Sequence, residues 1–140
     1  MPNMQGMISK NAFALRHHED YISVNRTSVA SWQQDIDAIP QNNNRVLCGY
    51  GQMNVGRIQA QGFTMDGESV EFQVYARHSS EDKSHAGISS YLSGQKLIGD
   101  KNTIYKHIPN NVSADRLSLL IRIKLAKLAN EHFVKFEQPQ

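Results

Sequence analysis

The hydrophobic positions of this chain fall into two helical stripes and several short alternating runs. Val29, Trp32, Ile36 and Ile39 recur at spacings of three and four behind Thr27 and Ser28, either of which can cap a helix, and Pro40 marks the end. The pattern predicts a helix over 28–39. Leu117, Ile121, Leu125 and Leu128 repeat in the same way behind Ser113, with Asp115 in the first turn where its charge meets the positive end of the helix dipole. This predicts a second helix over 113–132. Leu119 and Ile123 lie on another side of it, so that helix either packs on two sides, with residues 90–108 as the second layer, or offers an apolar strip to a partner or a second copy.

The strand signals are shorter. Ile22 and Val24 share one face of a run from Tyr21 to Asn25, and Val70, Phe72 and Val74 alternate with Glu71, Gln73 and Tyr75 behind an Asp66-Gly67 turn. His85 to Ser89 reads as the strand that returns after a polar tip over 77–84. Val46 to Met53 reads as a buried strand in which Gly49 and Gly51 admit another backbone, and 41–44 as a loop. Asn54 caps a helix of about two turns that Gly62 closes in the left-handed conformation. Residues 90–112, with Gly94, Gly99 and Pro109, read as irregular structure around a small hairpin, and residues 1–12 as a mobile or lightly docked tail. Together these predict one α+β domain over 13–140: a mostly antiparallel sheet of about four or five strands packed against helices near 28–39 and 113–132.

Composition narrows the partners. Fifteen Lys and Arg oppose thirteen Asp and Glu for a net charge of +2, too small a field to favour nucleic acid. No run approaches the roughly 20 apolar residues that span a bilayer, and the opening residues lack a secretion signal, so a cytoplasmic protein is expected. The single cysteine, Cys48, has no internal disulfide partner and excludes a cysteine-rich zinc site.

His17-His18-Glu19-Asp20 is the densest set of reactive side chains, suited to proton transfer or metal ligation, or simply to a solvated turn. His78 and His85 flank the polar tip and, with His17 or His18, would give three imidazoles; no spacing motif supports such a site, and neither metal nor cofactor is expected. Cys48 can be paired with His85 as nucleophile and base, but mid-strand it reads as a small core residue. Gly49-Tyr50-Gly51 followed by Asn54-Val55-Gly56-Arg57 is a strand, glycines and a helix start, an arrangement that either holds an anion with help from Arg57 or merely permits close packing.

The segments His18 to Arg26, Val55-Gly56-Arg57-Ile58 with Gly62, and His85-Ala86-Gly87-Ile88 resemble a family of small uncharacterised bacterial proteins with His-Pro-Glu-Asp, Leu-Ser-Val, Gly-Arg-Ile and His-Ala-x-Ile motifs. The resemblance covers residues 17–89; His17 precedes His18 here where the family often has proline after the histidine. A weaker similarity joins His18, Glu19, Cys48 and His85 to a small α+β family named for a Cys, Glu, His, His set and encoded beside bacterial ubiquitin-like conjugation genes. These likenesses imply an accessory component of a bacterial conflict or defence system. Two functions follow as expectations. One is a protein-binding module that uses the 77–84 tip and the sheet edge. The other is a small hydrolase or transferase with His18 and His85 in acid–base roles, Glu19 orienting an imidazole, and Arg57, Asn54 and His78 binding an anionic substrate.

Overall fold

The computed structural model describes residues 8–36, 49–77, 83–102 and 104–135. Pro40, the loop over 41–44, Cys48 and His78 lie outside them. The protein is α+β, as the pattern predicts. Strand β1 (Ile22–Asn25), β4 (Glu68–Ala76), β5 (His85–Leu92) and β3 (Phe63–Met65) form a sheet in the order β1-β5-β4-β3, with β6 (Gln95–Lys96) paired to the end of β5. Every pairing in it is antiparallel. A separate two-stranded sheet joins β2 (Gly49–Gly51) to β7 (Phe133–Lys135).

The core forms where the alternating strands meet the helical stripe. Val70, Phe72 and Ile88 point inward from β4 and β5, and Leu117, Ile121 and Leu125 answer them from helix α2 (Ala114–Asn130); all six are at most 1% exposed. Each such burial contributes about 1.5–3 kcal/mol. Ser113 caps α2 by accepting from the Arg116 amide, and Asn54 does the same for α1 (Val55–Gln59) through the Arg57 amide. Residues 8–13 dock on this core: Asn130 brackets Ile8 with two hydrogen bonds of 2.8 Å, and Phe13 is buried.

Four expectations are corrected. The first helix begins at Trp32 rather than at residue 28, because residues 26–31 form a turn closed by the Val29 amide on the Arg26 carbonyl; its predicted end near residue 39 lies outside the described residues. Gly62 is not left-handed; it is small because a Cβ there would lie 2.9 Å from the Val70 carbonyl oxygen. Strand β5 runs on through residues 90–92 before the expected small hairpin turns at Ser93-Gly94. Among the described residues, no second layer covers Leu119 and Ile123, which are 37% and 43% exposed.

Candidate functional site

The residues expected to share a site are dispersed. Asn25 of β1 stands opposite His85, while His18 lies before the other end of that strand, whose four residues span about 10 Å. His85 turns its Nδ1 to the Arg77 carbonyl at 2.9 Å. Glu19 does not orient an imidazole: its Oε1 accepts from the Arg16 amide at 2.6 Å, closing its own turn. Arg57 forms a two-pronged ion pair with Glu131, at 2.8 and 3.1 Å, and Asn54 is used as the α1 cap. Among the described residues, no three His, Cys, Asp or Glu side chains form a metal-ligand cluster. No described helix is long and apolar enough to cross a membrane.

His18 finds a different neighbour. The His17–His18 turn is pinned to Gly99, whose carbonyl accepts from the His18 amide at 3.0 Å and whose amide donates to the Glu19 carbonyl at 2.7 Å. That contact brings the Lys106 Nζ to 2.5 Å from the His18 Nδ1. The neighbouring His17 and then the Lys106 ammonium hold the His18 pKa below its ordinary value, with a smaller contribution from burial. Neutral His18 thus accepts at Nδ1 and carries its proton on Nε2.

The second concentration of chemistry lies on the sheet face turned away from α2. Along β4 and β5, the register sets Tyr75 opposite Gly87, Gln73 opposite Ser89 and Glu71 opposite Tyr91. Tyr75 and Tyr91 lean together over the middle pair and share a hydroxyl–hydroxyl hydrogen bond of 3.3 Å. Ser89 beneath them is fully buried, with no hydrogen-bond partner for its Oγ among the described residues. Immediately before β1, Tyr21 lies across Gly87; the Arg77 guanidinium sits 4.8 Å above the Tyr21 ring and 6.0 Å from that of Tyr75. The Lys96 ammonium also lies 6.0 Å from the Tyr75 ring and pairs with Asp20 at 3.6 Å. The imidazole of His85 completes the group, 5.9 Å from Tyr21.

The result is a platform of three tyrosines, with cations between and beside them, drawn from three strands and their flanks. Tyr75, on the polar phase of the β4 alternation, was the one sequence signal for it: an aromatic where water is expected. No family model, curated protein or solved structure matches this chain.

Proposed function

We propose that the chain is a protein-binding module whose recognition surface is the tyrosine-bearing face of its sheet. The observation that carries this reading is Arg77 held between two tyrosine rings on an open sheet face, with Tyr75 44% exposed. Tyrosine and arginine are among the side chains most enriched at interface hot spots: tyrosine offers wide contact area with few rotatable bonds, and arginine a planar guanidinium that stacks on aromatic rings and donates directed hydrogen bonds. The face serves better than the edge, since the edge strands β1 and β3 have only four and three residues. The separation of His18 from His85, and the engagement of Arg57 by Glu131, support binding over the acid–base alternative. A place in bacterial defence rests on the motif resemblance alone.

The test is affinity capture from an extract of the source organism with the wild-type chain, a Tyr75→Ala, Arg77→Ala double variant and an Ile123→Ala control. A protein retained by wild type and control, lost from the double variant and rebound as a purified pair, supports the proposal. Loss of about 2 kcal/mol, roughly 30-fold in Kd, is expected for a hot spot of this kind. Identical capture by all three removes the sheet face from consideration.

A further inference from the structure

We infer that the cavity beside the His17–His18 turn binds a small organic oxyanion, one with an apolar body and a phosphate-like head. The cavity lies where β4 begins and β5 ends, and its volume is about 630 Å³. That is within the roughly 300–1,000 Å³ of small-molecule sites. Its lining combines apolar Leu97, Ile98 and Pro109 with Lys96, Lys106 and His107. Glu68 also reaches it, but its Oε1 accepts from the Ser93 hydroxyl at 2.8 Å; Lys96 pairs with Asp20, which leaves Lys106 as the lysine of the lining without an ion pair among the described residues.

Two observations make this more than a dent between loops. Lys106 forms no ion pair among the described residues; its ammonium faces the neutral His18 Nδ1, which satisfies one N–H without neutralising the charge. A half-buried lysine left without a counter-ion presents a positive potential that an oxyanion would neutralise. The backbone is also held in unusual shape on both sides of that lysine. Apart from the Asp66 and Ser93 hairpin turns, His18 (φ 69°) and His107 (φ 55°) are the non-glycine residues at positive φ among those described. Such conformations cost of order 1–3 kcal/mol and persist where surrounding structure dictates them, commonly at ligand sites. Here they bring an imidazole against Lys106 and place His107 at the cavity wall.

The experiment titrates phenyl phosphate, inorganic phosphate and benzyl alcohol into the full chain at low salt, by calorimetry and by amide NMR shifts. Phenyl phosphate is expected to bind one to one, about tenfold more tightly than either fragment, with the largest shifts at Ser93 and His107. Lys106→Gln is expected to weaken it about tenfold, Lys106→Arg to retain it, and Lys101→Gln, in the adjoining exposed turn, to leave it unchanged. If circular dichroism shows Lys106→Gln unfolded, Lys96→Gln takes its place, and the shift map of the wild type stands independently. No saturable binding, shifts centred elsewhere, or equal affinity in the folded lysine variant would each overturn the inference.

Discussion

Tyr21 lies so close across Gly87 that a Cβ added to the glycine would fall 2.8 Å from the Cγ of the ring. The contact fixes Tyr21 flat on the sheet, and the flat ring is what Arg77 covers. Gly87 is therefore part of the platform although it carries no side chain.

Gly87→Ala is expected to lift Tyr21, release Arg77 and destabilise the fold by about 1–3 kcal/mol, the usual cost of overpacking. In a Tyr21→Ala background the same substitution should cost much less, because the clash has been removed. Urea unfolding of the four proteins in this cycle measures the difference. Equal costs in both backgrounds would mean that the glycine serves something other than Tyr21.

Helix α2 should respond differently on its two sides. Ile121 is 1% exposed and Ile123 is 43% exposed. Ile121→Ala is expected to cost about 2–5 kcal/mol, whereas Leu119→Lys with Ile123→Lys should stay folded within about 1 kcal/mol of wild type. Light scattering on the same samples reports whether the strip joins two copies: a wild-type dimer that the lysines dissociate would establish self-association, and a monomeric wild type would dismiss it.

What could be read in advance follows from physics local to each segment. The caps Ser113 and Asn54, the α2 stripe, the β4 alternation and the Asp66-Gly67 turn act within a few residues, and each appears where the pattern puts it. The last three residues of β5 escape because Ser90 is buried although polar, so the alternation breaks there. Strand β3 has three residues, too few to show a period. The candidate site was least legible of all. Tyr21, Tyr75 and Tyr91 meet only through the register of three strands, and Lys106 reaches His18 across 88 positions of chain through Gly99.

His18 should titrate below 6.5, its ordinary value. Between the lowered value and 6.5 the unfolded chain holds more protons than the folded one, so stability from this group is present above 6.5 and declines as pH falls through that window. The group is fully exposed, and the thermodynamic effect will be small. Imidazole NMR gives the direct reading: His17→Gln should raise the His18 pKa most and Lys106→Gln should raise it less, following the order of the two repulsions. An unmoved His18 in both variants would show that neither neighbour acts on it.

Tyr105 offers the opposite sign. Its ring is 5% exposed, and burial pushes the phenol from 10.0 up to about 12, against the smaller opposing effects of a hydrogen bond with Ser118 and the charge of Arg122. The unfolded chain releases this proton near pH 10 while the folded chain keeps it, so the stabilisation is complete below pH 10 and is lost as pH rises toward 12. A displacement of that size corresponds to roughly 3 kcal/mol, an appreciable part of the stability of a domain this small. Ultraviolet titration at high pH should show one of the five tyrosines ionising last, and only as the protein unfolds. Tyr105→Phe should remove that late step and flatten the alkaline loss of stability. At neutral pH it should cost about 1 kcal/mol for the lost hydrogen bond, because Ser118 still receives the Arg122 Nε–H at 3.1 Å. A late-ionising tyrosine that survives in Tyr105→Phe would assign the shift to another ring.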